Sequence, residues 1–172
     1  MARNFELTLS APCFVGDNDA QLVAGDVAAG ATNLIGRPAW SFDDAAEEAI
    51  VSCEFEVPST YTGSGTLKVI VFCAMATATS GGVVWDIFVE AVTAGDTLDL
   101  EAAYSWDSAN SGTTTAAGTA GDLFATTITL TNKDSMAAGD LIRIGVRRDT
   151  DNGSDTMSGD AYIFGISFFE EV

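Results

Sequence analysis

Apolar and polar residues alternate with a period of two through much of the chain from residue 49 onward. In "AIVSCEFEV" the odd-numbered residues from Val51 to Val57 are apolar, and serine or glutamate lies between them. The segment "VVWDIFVEAV" likewise places Trp85 on one face with three aliphatic residues. Because successive side chains of a strand point to opposite faces of its sheet, both segments predict half-buried β-strands.

Two further segments, "TLKVIVFCAMA" and "YIFGISFF", are apolar at almost every position. A strand of this composition needs cover on both faces, which a neighbouring element or another subunit can supply. In the second segment, residues at even-numbered positions share one face, which we interpret as core together with a subunit interface. The predicted interface residues are Tyr162, Phe164, Ile166 and Phe168.

Turn signals separate these segments at regular intervals. Pro58, "YTGSG", "SGG" and Gly95-Asp96 end successive strands. The small polar residues from Asp107 to Asp122 predict a long loop, and three more strand-like segments follow it. We therefore predict an all-β fold, an antiparallel jelly-roll β-sandwich of about eight strands with an extended N-terminal arm.

The first 40 residues differ from the rest, because glycine, alanine and aspartate dominate after one strand-like stretch, "NFELTLSA". We assign residues 1–40 to an arm or attachment segment and residues 41–172 to the sandwich domain. The one helix candidate of that domain is Ser41–Ile50, with Ser41 as its N-cap. The apolar residues with which the arm would dock are Phe5, Leu7, Leu9, Leu22, Leu34 and Ile35.

A chain of 172 residues with 47% hydrophobic residues is long enough for one domain with a substantial core. Its formal net charge of -18 indicates a strongly acidic surface, which opposes binding to nucleic acid and to anionic membranes. No run approaches the roughly 20 apolar residues of a membrane span. The N-terminus lacks the apolar core of a signal peptide, so we do not expect export through the general secretory route.

The chain contains no histidine, which excludes Ser-His-Asp and Cys-His catalysis and removes the commonest zinc ligand. It also lacks a nucleophile elbow and a phosphate-binding loop. The remaining catalytic arrangement is a carboxylate pair drawn from glutamates and aspartates on outer strand faces. A solvated acidic face is the simpler interpretation, so we predict no enzymatic activity and no cofactor. The carboxylates concerned are Glu54, Glu56, Glu90, Asp99 and Glu101.

Aspartates cluster in "RRDTDNGSDTMSGD", between the last two predicted strands. An irregular calcium site formed by Asp149, Asp151 and Asp155 is one interpretation, although the spacing and flanking strands do not match a helix–loop–helix calcium site. The pair Asn152-Gly153 favours a tight turn, since both residues tolerate positive φ. We favour a solvated loop without a metal.

The chain has three cysteines, Cys13, Cys53 and Cys73, without metal-binding spacing. Cys53 and Cys73 fall within apolar strand patterns, which predicts small buried side chains. A Cys53–Cys73 disulfide is the alternative, provided that the two strands are neighbours.

Trp106 stands at the mouth of the predicted long loop, whereas Trp85 alternates with core residues. An exposed aromatic ring stacks on carbohydrate, and long loops frequently carry recognition. Trp106 is therefore the candidate ligand-facing residue.

Four segments between Trp40 and Val172 form a set: "VPSTY", "GGVVWDI", "GDLIRIGVRRD" and "DTMSGDAYIFGISFFEE". Together they resemble a β-sandwich domain of tailed-bacteriophage virion proteins, which include capsid decoration (cement) proteins and head or tail fibres. The resemblance implies a non-catalytic jelly-roll module that assembles as homotrimers or dimers on a virion.

The leading hypothesis is a capsid decoration protein on the virion exterior, assembled in the host cytoplasm. Its partners would be copies of itself, in a trimer, and the major capsid protein. Residues 1–40 would staple neighbouring subunits of that capsid protein. The alternative is a receptor- or carbohydrate-binding module of a head or tail fibre. A third hypothesis is a glycan hydrolase that uses Glu54 or Glu56.

Overall fold

The computed structural model of the protein describes residues 2–17, 21–24, 38–97 and 105–172. Within these residues there are twelve strands, which form two six-stranded antiparallel sheets, and one short 3-10 helix, Ala11–Cys13. The strands are β1 (Arg3–Ser10), β2 (Phe14–Asp17), β3 (Gln21–Ala24), β4 (Pro38–Phe42), β5 (Ala49–Ser52), β6 (Phe55–Glu56), β7 (Thr66–Met75), β8 (Gly82–Val92), β9 (Asn110–Thr115), β10 (Phe124–Thr129), β11 (Leu141–Arg148) and β12 (Ala161–Glu171).

The predicted all-β antiparallel sandwich is confirmed. The first sheet has the order β10-β7-β12-β4-β3 with β1 also paired to β12, and the second has the order β2-β5-β11-β8-β9 with β6 paired to β11. Trp85 is fully buried and meets Phe42 edge-to-face across the core, with ring centroids 5.2 Å apart. Strands β2, β3, β5 and β6 each have four residues or fewer, too few to show a clear alternation in the sequence.

The helix predicted at Ser41–Ile50 is wrong, because β4 and β5 include its two ends and residues 43–48 form an irregular bend. The Glu48 carboxylate accepts the N–H of Asp43 at 2.7 Å, and the Asp43 carboxylate accepts the N–H of Ala45 at 2.8 Å. Such local side-chain bonds satisfy backbone donors outside a helix. No helix within the described ranges is long and apolar enough to cross a membrane.

β12 organises the first sheet, since β7 pairs with one of its edges and β1 and β4 pair with the other. Its register with β7 shifts between Ile163 and Gly165, which marks a β-bulge. An extra residue in a strand reverses which positions face inward. Ile163 points into the core before the bulge, and Ile166 and Phe168 point into it afterwards.

Because of the bulge, the four residues predicted to form a subunit interface do not all face outward. Ile166 and Phe168 are fully buried between the sheets, and only Tyr162 and Phe164 face outward, where both are half-buried. The four residues do not share a face, because the prediction assumed unbroken alternation through the strand.

The described part of the predicted arm belongs to the sandwich. Phe5 is buried, and its ring lies 5.4 Å from that of Phe168. Leu7 and Leu9 are partly buried against the same core. Strands β2 and β3 pair with β5 and β4, so both sheets incorporate residues from the first 24 positions. The side chains of Leu22, Leu34 and Ile35 lie outside the described residues.

Gly165 allows β1 to approach β12 closely. A Cβ atom at this position would overlap the carbonyl oxygen of Leu9, which is backbone and has no rotamer to change. We expect Gly165→Ala to lower the free energy of unfolding by about 2 kcal/mol or more, a typical cost of overpacking. Urea titration checks this. Gly118→Ala is the control, since a Cβ there meets no atom within 4 Å, and equal stabilities of the two variants would contradict the prediction.

Candidate functional site

An aromatic pair lies on the outer face of the second sheet. Phe88 of β8 is directly opposite Gly145 of β11, and the indole of Trp106 lies across that glycine. The Phe88 and Trp106 rings are 6.3 Å apart between centroids and inclined by 52°. Both side chains are half-buried, and they border a shallow hollow of about 90 Å³ that β5 also lines. The indole covers Gly145 closely, since a Cβ there would be in ordinary contact with two indole carbons, at 3.5 and 3.6 Å.

Two arginines of β11 flank the aromatic pair. Arg143 and Arg147 alternate with the buried residues Ile144 and Val146, so both project from the outer face on either side of Gly145. We call the surface formed by Phe88, Trp106, Arg143, Gly145 and Arg147 the arginine–aromatic face.

Each arginine is held by a buried carboxylate on β8. Arg143 donates from Nε to Glu90 Oε2 at 2.7 Å, and Arg147 donates from Nη2 to Asp86 Oδ2 at 2.6 Å. Asp86 and Glu90 are each only 2% exposed. Charge-assisted hydrogen bonds of this kind fix the planar guanidinium groups in position.

Each arginine also lies near a second, more exposed glutamate. Glu47 accepts from Arg147 Nη1 at 3.0 Å, and Glu54 lies 3.9 Å from Arg143 Nη1. Burial raises the pKa of Glu47, which Asp149 and Asp151 raise further, while Arg147 opposes the increase. The guanidinium carbon of Arg147 is 5.3 Å from the Phe88 ring centroid, within cation–π range.

Backbone anchors on both sides hold Trp106 in place. The N–H of Ser105 donates to Glu90 Oε1 at 2.7 Å, and the N–H of Asp107 donates to the carbonyl of Val89 at 3.0 Å. The Asp107 carboxylate in turn accepts the N–H of Asp134 at 2.8 Å, and backbone donors hold its pKa below the ordinary value. The indole is therefore positioned before any ligand arrives, which lowers the entropy cost of binding.

Of the residues singled out from sequence, Trp106 and Glu90 meet at this face. Glu54 joins them through Arg143, whereas Glu56 is exposed on β6, and Asp99 and Glu101 lie outside the described residues. The face is not simply a solvated row of acids, since arginines of β11 are interleaved with the carboxylates of β8.

The sequence analysis missed Phe88, Arg143 and Arg147. Phe88 is an aromatic residue at a polar position of its alternating strand, between Asp86 and Glu90. The arginines stand four residues apart around a glycine, in "RIGVR", and therefore share a face of β11. These two departures from simple alternation are the signals that mark the site.

The aspartates proposed as calcium ligands do not converge. The Asp155 carboxylate accepts bidentate hydrogen bonds from the fully buried Arg148, at 2.8 and 3.1 Å, and also accepts the N–H of Val84. Asp149 accepts a hydrogen bond from the Asn152 side chain at 3.2 Å. Across the described ranges, no group of three or more acidic or cysteine residues is arranged to hold a metal ion.

A larger hollow of about 400 Å³ lies on the outer face of the first sheet. Its apolar side chains are Leu9, Phe72, Phe164 and the exposed Leu123, and the hydroxyl groups of Thr8 and Ser10 are its polar side-chain groups. This hollow offers apolar area but no charged group to orient a ligand. The arginine–aromatic face combines both, as specific sites do.

Comparisons with known proteins support the fold. No family profile and no curated protein matches this sequence. Among solved structures, CsCBM6-3 from Clostridium stercorarium, determined in complex with cellobiose, superposes with a TM-score of 0.52 at 12% identity over 96% of this chain and 94% of that one. The C-terminal CBM6 of a marine laminarinase from Zobellia galactanivorans gives 0.51 at 14% identity, over 96% of this chain and 100% of that one.

A third structure contains the CBM22-1 and GH10 modules of a Clostridium thermocellum endo-1,4-β-D-xylanase complexed with xylohexaose. It gives a TM-score of 0.50 at 12% identity and covers 95% of this chain, which spans 27% of that larger structure. At these identities the likeness establishes a jelly-roll β-sandwich of the type found in carbohydrate-binding modules.

Removing the charge of Glu90 tests how the aromatic pair is supported. We expect Glu90→Gln to lower the free energy of unfolding by about 3 kcal/mol, because it removes the charge of a buried carboxylate that is hydrogen-bonded to the largely buried Arg143. Trp106 is the one tryptophan of the three that is not buried, so looser anchoring should increase acrylamide quenching of its fluorescence. The control is Glu56→Gln on the exposed β6; unchanged stability and quenching in both variants would contradict this role for Glu90.

Proposed function

We propose that this protein is a non-catalytic carbohydrate-binding module that binds a neutral polysaccharide on the arginine–aromatic face. The observation that carries the proposal is the half-buried Phe88–Trp106 pair, held between two arginines that buried carboxylates fix in place.

The chemistry of this face suits a sugar chain. A pyranose ring has apolar C–H faces, which pack on aromatic rings, and a rim of hydroxyl groups, which hydrogen-bond to charged side chains. Phe88 and Trp106 supply the rings, while Arg143, Arg147 and the exposed carboxylate of Glu54 supply donors and acceptors. A rigid apolar platform with a few fixed polar groups is the usual composition of a specific small-ligand site.

The structural neighbours support the same function. Two of them are carbohydrate-binding modules of the CBM6 type, one in complex with cellobiose, and a third structure includes a CBM22 module and holds xylohexaose. The shared fold makes a glycan the ligand class to test first, although fold by itself does not determine function.

The charges favour a neutral glycan over an acidic one. Two arginines on the face stand among four carboxylates, and the whole chain carries a net charge of -18. This field repels polyuronates and sulfated chains, in the same way that it opposes nucleic acid and anionic membranes.

Binding is a better interpretation than hydrolysis. Both oxygens of Glu90 accept hydrogen bonds, from Ser105 and Arg143, and both oxygens of Asp86 are occupied, by Ser111 and Arg147. Glycoside hydrolysis requires one carboxyl group to donate a proton and another to meet water or the sugar. Carboxylates bound in this way position arginines.

A capsid decoration role on a virion is the second candidate function. One observation favours it: Phe72, Phe164 and Leu123, which is 60% exposed, border an apolar hollow suited to contact with another subunit. In this role the partners would be further copies, as a trimer, and the major capsid protein, on the capsid exterior after assembly in the host cytoplasm. Light scattering tests it, because a stable trimer that Leu123→Asp dissociates would support self-association and a monomer would not.

Affinity electrophoresis and calorimetry with soluble polysaccharides test the glycan proposal. We expect binding to a neutral β-glucan or xylan and none to polygalacturonate. Trp106→Ala and Phe88→Ala should each weaken binding at least about tenfold, since aromatic anchors dominate such interfaces.

Tyr162→Ala is the matched control, because this half-buried ring lies on the outer face of the other sheet. It should bind as the unmodified chain does. Absence of binding to every neutral polysaccharide, or equal losses in Tyr162→Ala and Trp106→Ala, would overturn the proposal.

A further inference from the structure

Cys13 and Cys53 lie directly opposite each other on neighbouring segments of the second sheet. β2 pairs with β5 so that Phe14 faces Ser52, and the next pair in this register is Cys13 with Cys53. The N–H of Cys53 donates to the carbonyl of Cys13 at 2.7 Å, so the pairing continues through both cysteines.

This register suits a disulfide. Residues directly opposite in antiparallel strands have Cα atoms about 4.5–5.5 Å apart, and disulfides bridge Cα separations of about 4.4–6.8 Å. No change of strand pairing is therefore needed to join the two sulfur atoms.

The two thiols are accessible and close to each other. Cys53 is exposed and Cys13 is partly exposed. Burial of its sulfur raises the pKa of Cys53, and the neighbouring Cys13 thiol raises it further. Ser10 Oγ lies 3.8 Å from Cys13 Sγ, which adds a polar contact to this sulfur.

Cys73 is excluded from the pair. It is fully buried in β7 of the first sheet, and burial raises the pKa of its thiol to about 12. The Cys53–Cys73 bridge considered from sequence does not form in this fold, because Cys73 is buried in the first sheet, whereas Cys53 directly follows β5 of the second sheet and faces solvent.

We propose that Cys13 and Cys53 are a redox modification site that forms a reversible intrachain disulfide by exchange with a low-molecular-weight disulfide such as oxidised glutathione. The exposed Cys53 thiolate attacks one sulfur of the small disulfide, forming a mixed disulfide and releasing one small thiolate. The Cys13 thiolate then attacks the Cys53 sulfur and releases the second. The protein loses two protons and two electrons, which reduce the small disulfide to two thiols.

The bond would tie the short helix Ala11–Cys13 to the end of β5. That helix carries the chain from β1 of the first sheet to β2 of the second, and among the described strands β2 lies at the sheet edge and pairs with β5 alone. Closing a loop of about 40 residues between these points restricts the unfolded chain. The disulfide would therefore stabilise the N-terminal edge of the second sheet.

The experiment incubates the native full chain with oxidised glutathione at about pH 8.5, because exchange requires a thiolate and alkaline pH favours it. We expect an intact mass lower by about 2 Da, a peptide linking Cys13 to Cys53, and a melting temperature about 5–10 °C above that of the dithiothreitol-reduced protein. Reduction should reverse all three changes.

Cys73→Ala is the matched control and should form the same bond, whereas Cys13→Ser should stop at a glutathione adduct on Cys53. Two results would overturn the proposal: free thiols at both positions after oxidation, or a lasting glutathione adduct on Cys53 in the unmodified chain. Neither result depends on whether a polysaccharide binds.

Discussion

The bulge in β12 is the constraint on which the rest of the sandwich depends. A regular eleven-residue strand would present one set of alternating positions to the core, but here the set changes between Ile163 and Gly165. Ile163 and Phe168 therefore both point inward, although they differ in parity. The bulge also places Gly165 beneath the backbone of β1, so the N-terminal strand packs closely enough for Phe5 to join the core.

The second sheet carries charge on its outer face at some energetic cost. Taking Asp86 and Glu90 out of water is unfavourable, and arginine partners offset this cost only when the geometry is good. Such pairs contribute less to stability than to the fixed orientation of the groups they hold. On this face they hold Arg143 and Arg147 on either side of an aromatic pair, and Glu90 also anchors the segment that carries Trp106.

The N-terminal segment links the two sheets. β1 belongs to the first sheet, and the short helix after it delivers the chain to β2 at the edge of the second. Trp40 reinforces this crossover, because its indole N–H donates to the carbonyl of Ala11 at 2.8 Å. The cysteine pair lies at the same crossover, so a bond there would strengthen a connection that the fold already contains.

The sequence by itself determined the strand class, the long strands, the buried position of Trp85 and the candidacy of Trp106, because alternation is a local property of the chain. Only the tertiary structure decided the bulge, the incorporation of β1, the cysteine partners and the meeting of Phe88 with Trp106. These depend on register and on which strands become neighbours, which bring together residues far apart in sequence. Asp155 illustrates the difference: the sequence favoured a solvated loop position, with a calcium ligand as the alternative, but its position in space pairs it with the buried Arg148.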